Sequence, residues 1–149
     1  MTRPAHVVAV DLGGTTIKAA RYDAHGIAEE TLRLPTPSAQ GQDAVVAAVV
    51  QAATALTRPR VRAVGLCAPG LINTEDGVVR YAANLGLRDT PLAAAVAEAV
   101  HRPVVLEHDV RAACLAEQQL GLGTDVSDLL VIVLGTGLAA GIVSDGRLI

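Results

Sequence analysis

Val7-Val8-Ala9-Val10-Asp11-Leu12-Gly13-Gly14-Thr15-Thr16-Ile17-Lys18 is the stretch that decides how this chain folds. Residues 7–10 are apolar and mostly β-branched, which predicts a short buried strand. The Gly-Gly pair behind them permits a tight turn and lets a ligand approach main-chain N–H groups. Thr15 and Thr16 add hydroxyl donors, and Asp11 at the strand's end is placed to hold a metal ion or its water. Apolar residues resume at Ile17. Strand, acid, Gly-Gly and Thr together suit a hairpin that grips the phosphates of a nucleotide. The same residues also fit an ordinary β-hairpin with a glycine turn and a solvated Asp11, so the motifs downstream carry the decision.

Composition bounds the answer. A chain of 149 residues, 51% hydrophobic, is long enough for one domain with a sizeable core. With no Phe, no Trp and two Tyr, that core is built from Val, Leu, Ile and Ala. The net charge is −3 and the basic residues are scattered, which excludes an electrostatic footprint for nucleic acid. No apolar run approaches the roughly 20 residues that span a bilayer. The N-terminus lacks a signal-peptide pattern, so the expected location is the cytoplasm. Cys67 and Cys114 both sit in apolar surroundings and are expected to be buried thiols, not a bridge.

The rest of the chain alternates strand and helix patterns. After a hairpin of residues 7–11 and 17–22, a third strand is expected over 28–34. Residues 35–41 form a loop by composition. Asp43 is expected to cap a helix whose apolar stripe is Val45, Val46, Val49, Val50, Ala53 and Leu56, stopped by Arg58-Pro59. Residues 61–67 read as a second buried strand. Thr90-Pro91 signals a helix start, with Leu92, Val96 and Val100 on one face. Residues 104–107 form another strand, a helix runs from Asp109 to near Gly121, and 129–134 and 139–143 are the last two strands. A ββ-hairpin followed by alternating helices and strands implies α/β architecture: a mixed sheet with helices on its faces.

Four further motifs carry candidate chemistry. Pro69-Gly70 follows a strand at its carboxyl end, the edge where ligands sit in open α/β sheets. It suits the floor of a substrate pocket, and equally a plain turn into a hairpin at Asp76-Gly77. Asn84 in an apolar segment suits a sugar hydroxyl, because its amide both donates and accepts, and equally suits a turn. Glu107-His108-Asp109 stands between a strand and a helix. A carboxylate there can take the proton of an attacking hydroxyl, the general-base role in phosphoryl transfer. It can also simply cap the helix. His108 either faces the pocket or bridges to the backbone, and no second His or Cys lies at metal-ligand spacing. Gly135-Thr136-Gly137 follows a very apolar strand. With Ala140 it formally matches a dinucleotide fingerprint, but the residues beyond it read as strand and turn, not helix. It is instead expected to be a second phosphate loop. A Walker A pattern is absent, which excludes a P-loop NTPase.

These five elements, in this order, resemble the ROK family of sugar kinases within the actin-like ATPase superfamily. The family's Asp-x-Gly-Gly-Thr-x-x-Lys is present as Asp11, Gly13, Gly14, Thr15 and Lys18; its Pro-Gly loop as Pro69-Gly70; its Asn-Leu segment as Asn84-Leu85. The family's Glu-Asn-Asp helix motif is matched by Glu107-His108-Asp109 with Ala112, Ala113, Ala116 and Glu117. Its Gly-Thr-Gly hairpin is Gly135-Thr136-Gly137 with Asp145-Gly146. The resemblance implies an actin-like (ribonuclease H-like) fold. Residues 1–115 would be the N-terminal lobe, and 116–149 the hinge helix and first strands of a second lobe. It implies ATP-dependent phosphorylation of a hexose, most simply glucose on its 6-hydroxyl. Asp109 would be the base, and Asp11 would position Mg²⁺ or its waters. Gly13, Gly14, Thr15, Thr16 and Lys18, with Gly135, Thr136 and Gly137, would hold the nucleotide. Gly70, Asn84, Glu107, His108 and Asp109 would line the sugar site.

Three departures accompany the resemblance. His108 stands where the family usually has Asn, which alters how a sugar can be hydrogen-bonded. Ala139 and Ala140 stand where glycines are common. Family members also run to about double this length, so the Cys-rich zinc loop, the Glu-x-Gly-His sugar contacts and most of the adenine pocket lie outside these 149 residues. Strands left without covering helices would expose apolar area and open edges, which favours self-association. The leading expectation is the N-terminal half of a sugar kinase, inactive in isolation. The alternative is a short non-catalytic sugar- or phosphate-binding protein acting through a partner. The family's repressors carry a helix-turn-helix ahead of the first motif. Only a few residues stand there in this chain, which disfavours that branch.

Overall fold

The computed structural model describes residues 5–134 and 137–149. In chain order its first elements are β1 (His6–Leu12), β2 (Thr16–Tyr22), β3 (Ala28–Pro35), α1 (Gln42–Leu56), β4 (Val61–Ala68), β5 (Leu71–Asn73), β6 (Val78–Ala82) and β7 (Leu87–Thr90). There follow α2 (Leu92–Val100), β8 (Val104–His108), α3 (Asp109–Leu120), β9 (Leu129–Leu134), β10 (Leu138–Ser144) and β11 (Arg147–Leu148). The chain divides into two compact units, Met1–Glu107 and His108–Ile149.

The first unit is organised by a five-stranded sheet in the order β3-β2-β1-β4-β8. β1 runs antiparallel to β2 and parallel to β4, which makes the sheet mixed, as expected. Alternation along the strands sends Val8, Val10, Leu12, Ile17 and Ala19 into the core. There they meet Val45, Val49, Ala52, Ala53 and Leu56 of α1, and Leu92, Val96 and Val100 of α2. Every large residue of this core is aliphatic, so shape rather than aromatic area fixes the packing. A second sheet, β5-β6-β7, extends the unit. Only its hairpin at Asp76-Gly77 was legible beforehand, because strands this short carry little periodicity.

Two capping expectations are corrected. Gly41, with φ 91°, occupies the cap position of α1, and Asp43 lies in the first turn, where its charge complements the helix dipole. The Thr90 hydroxyl does not cap α2. It donates to Gln42 Oε1 at 2.9 Å, and that same oxygen accepts the Arg88 N–H at 3.0 Å, tying the start of α1 to β7.

In the second unit, α3 packs on the sheet β11-β10-β9. A Cβ on Gly141 would overlap the Cys114 side chain and lie 3.0 Å from the Val110 carbonyl oxygen, so a glycine is what lets helix and strand approach this closely. The other face of this sheet is apolar and exposed. Leu134 faces Leu138, Ile132 faces Ala140 and Leu130 faces Ile142, with Leu134 82% and Leu138 72% exposed. The segment after Gly137 is strand, which removes the dinucleotide-fold reading. Cys67 and Cys114 are thiols; Cys114 is buried and Cys67 half-buried. Among the described residues no helix is long and apolar enough to cross a membrane.

Candidate functional site

β1 delivers Asp11 to the face of the first sheet opposite its core, near the strand's carboxyl end. Antiparallel pairing sets Lys18 directly across the hairpin, its Nζ 3.4 Å from Asp11 Oδ2. Parallel pairing sets Cys67 on the other side of Asp11, and Lys18 in turn faces Arg33. Thiol, carboxylate, ammonium and guanidinium therefore stand in one row across four strands. They line an open concavity of about 420 Å³ together with Ala9 and Tyr22.

Residues 13–16 turn the chain between β1 and β2. The Gly13 N–H donates to the Thr16 carbonyl at 3.1 Å. From the loop after β3, Thr36 reaches over this turn. Its N–H donates to the Thr15 carbonyl at 3.0 Å, and its hydroxyl donates to the Gly13 carbonyl at 2.7 Å. Three carbonyls of the turn are thus engaged by protein donors. Among the described residues no acceptor meets the N–H of Gly14 or Thr15, and both residues are exposed. Three carbonyls taken up by protein donors, beside two exposed amides without an acceptor, create a locally positive rim suited to an anion.

The two glycines differ in what demands them. A Cβ on Gly13 would lie 2.8 Å from the Thr16 carbonyl oxygen, so the turn itself requires glycine there. A Cβ on Gly14 would meet nothing nearer than the Asn84 Cβ at 4.0 Å, and its φ is not left-handed. Neither conformation nor packing requires Gly14. The same distance places Asn84 beside the turn. Asn84 sits in a 3₁₀ turn, residues 83–85, closed by Gly86 at φ 65°. Gly70, at φ 102°, lies under the preceding strand. A Cβ there would run into the Tyr81 carbonyl oxygen and lie 3.0 Å from Ala82. The first unit therefore brings Gly70, Asn84, Gly13 and Gly14 into one connected neighbourhood.

In the second unit, His108 occupies the cap position of α3, which corrects the reading of Asp109 as that cap. Its Nδ1 accepts the Val110 N–H at 3.2 Å, the backbone-bridging role foreseen as one of two options. Asp109 Oδ1 accepts the same N–H at 2.8 Å, and Nδ1 and Oδ1 are 3.1 Å apart. Asp109 is thus anchored by one oxygen at the first turn of a helix, where the dipole favours a carboxylate. Glu107 is half-buried at the end of the first unit. Gly135 and Thr136 lie outside the described residues. Gly137 is exposed at the start of β10, with open space where a Cβ would stand.

Thr36 was not singled out from sequence. Its signal was the Pro35-Thr36-Pro37 context, which fixes an extended backbone at the end of β3. No group of three or more His, Cys, Asp or Glu able to hold a metal occurs among the described residues. A single half-exposed Asp11 fits Mg²⁺ only in the mode where substrate phosphates and water complete the coordination.

A family model described as ROK family matches residues 7–149. The chain belongs to the ROK family. It is 32% identical over 148 residues to a glucokinase of Halalkalibacterium halodurans, spanning 95% of this chain and 45% of that protein. It is 32% identical over 143 residues to an N-acetylmannosamine kinase of Escherichia fergusonii, spanning 95% of this chain and 48% of that one. Among solved structures, it superposes with a TM-score of 0.86 on a ROK family glucokinase from Streptomyces griseus in complex with glucose and AMPPNP. The two are 34% identical, with 97% of this chain and 46% of that chain covered. This ROK chain thus spans about half the length of the relatives it matches.

Proposed function

We propose that this chain supplies the first half of an ATP-dependent hexose kinase, the half that grips phosphate and provides the base. The observation that carries this reading is the 13–16 turn: three of its carbonyls are engaged by protein donors, its Gly14 and Thr15 amides are exposed with no acceptor among the described residues, and the fold does not need the glycine at 14. A bound phosphate accounts for all three. Kinship with glucokinases and N-acetylmannosamine kinases supports the sugar as acceptor.

In this reading Gly13, Gly14, Thr15, Thr16 and Lys18 hold the nucleotide phosphates, and Gly135, Thr136 and Gly137 form a second phosphate loop. Gly70, Asn84, Glu107 and His108 position the sugar. Asp109 takes the proton of the attacking hydroxyl as that oxygen bonds to the γ-phosphorus. The bond from that phosphorus to its bridging oxygen breaks, and ADP leaves. Asp11, through water, would hold Mg²⁺ beside the phosphates, and the ion would there supply charge stabilisation of the transferring group. The lobe boundary at residue 115 falls inside α3, which then carries the hinge. An ATP-dependent reaction suits the cytoplasm, and the exposed apolar face of β9 and β10 suits a covering surface, whether the remainder of the protein or a second copy.

The test is sugar-dependent ADP formation by the native protein, as its own cells make it, with glucose and N-acetylmannosamine as acceptors. Turnover with either, abolished by Asp109→Asn, is expected. The isolated 149-residue chain is expected to give none. A native protein that consumes no ATP with any hexose, or an active isolated chain, contradicts the reading.

A further inference from the structure

We propose that Thr36 is a positioning residue that sets the polarity of the phosphate-gripping turn; the proposal rests on the kinase reading of that turn. The last rung of the β2–β3 ladder pairs Thr16 with Pro35, so β3 ends level with the start of β2. The next residue, Thr36, is half-buried and carries the only two bonds among the described residues that cross from this loop to the turn. Its hydroxyl hydrogen goes to the Gly13 carbonyl and its amide hydrogen to the Thr15 carbonyl.

These two bonds decide which way two peptide planes face. A peptide plane has its C=O and N–H on opposite edges. Holding the Gly13 carbonyl inward turns the Gly14 N–H, one of the two exposed amides of the turn, outward; holding the Thr15 carbonyl fixes the next plane but one, which carries the Thr16 N–H. A glycine pair has no such preference of its own, because glycine accepts either flip of the plane at little cost. Without Thr36 the Gly13 carbonyl is free to turn toward the phosphate, where its partial negative charge repels the ligand. The prolines on either side limit the backbone of Thr36, so the brace is in place before any ligand arrives. Such preorganisation lowers the cost of binding rather than adding a contact.

The experiment compares Thr36→Val, which keeps the shape and removes the hydroxyl, with Thr36→Ser, which keeps it. In the native protein Thr36→Val is expected to raise KM for ATP about tenfold, the scale of one hydrogen bond to a strategic carbonyl. KM for the sugar and kcat should stay within about twofold. Thr36→Ser should restore KM. Amide hydrogen exchange without nucleotide gives the second readout: the Gly13 and Thr36 amides should exchange faster in Thr36→Val and not in Thr36→Ser. An unchanged KM for ATP, equal losses for both substrates, or a serine variant as impaired as the valine variant overturns the proposal. So does unchanged exchange at the turn. A wild-type protein without kinase activity defeats the kinase reading instead, and exchange at Gly13 and Thr36 then still decides whether Thr36 sets the turn.

Discussion

Lys18 Nζ stands 3.4 Å from Asp11 Oδ2, directly opposite it in the β1–β2 hairpin. Both side chains are about half exposed, so the pair adds well under about 1 kcal/mol to stability once solvent screening is counted. A pair that weak is easily rearranged when a phosphate or a cation enters. Asp11→Asn is therefore expected to leave the thermal midpoint nearly unchanged while removing Mg²⁺-dependent turnover in the native protein. Melting curves run beside activity at varied Mg²⁺ check it. A large loss of stability would make Asp11 a structural residue.

The two glycines of the turn separate fold from function. Gly13→Ala forces a Cβ to 2.8 Å from the Thr16 carbonyl oxygen and should cost about 1–3 kcal/mol in denaturant unfolding. Gly14→Ala meets only ordinary contact and should be neutral within about 1 kcal/mol. It should nonetheless weaken ATP binding by about tenfold or more, because the methyl fills space reserved for phosphate. Equal destabilisation by both would show that the fold, not a ligand, demands Gly14.

Gly70 combines a φ of 102° with a Cβ position that overlaps the Tyr81 carbonyl oxygen. Gly70→Ala should therefore destabilise the first unit by about 2 kcal/mol or more. It should also weaken sugar binding by shifting β6 and Asn84. A urea titration gives the first effect, and sugar KM in the native protein the second.

Much of the architecture was readable because periodicity was strong where the core is. The stripe of α1 and the β-branched runs of β1 and β4 admit one solution each. The caps were misread for a physical reason. Asp43, Thr90 and Asp109 all have the chemistry of a cap, but Gly41 stands at the cap of α1. Gln42 captures the Thr90 hydroxyl, and His108 takes the cap of α3. Strands β5, β6, β7 and β11 were too short to show alternation. Within the site, the glycine-rich turn and Asp11 were legible from residue type. The brace from Thr36 was not, because it depends on where β3 ends relative to β2, which only pairing register reveals.

Asp128 holds the second unit's loops. It accepts the Asp145 N–H at 3.1 Å and the Ser144 and Ser127 hydroxyls at 3.0 Å each. The bond from the Asp145 amide first, then those from Ser144 and Ser127, hold its pKa below the ordinary aspartate value. A carboxyl depressed in the folded state contributes stability that is full above the unfolded value, about 3.9. That contribution is lost as pH falls through the lower folded value. Asp128→Asn should thus be less stable than wild type at about pH 7, with the gap closing as the solution is acidified below about pH 3.9. Urea midpoints across that range check the sign; a gap that widens in acid contradicts it.

The amide ¹H–¹⁵N spectrum of Gly14 and Thr15 in the native protein, titrated with Mg²⁺ and AMPPNP, decides whether this turn binds phosphate. If the turn presents its amides to phosphate, these two resonances move downfield with the binding curve, and Gly14→Ala abolishes the movement at Thr15. If AMPPNP binds while both amide resonances stay in place, the phosphates sit elsewhere and this turn is not their site.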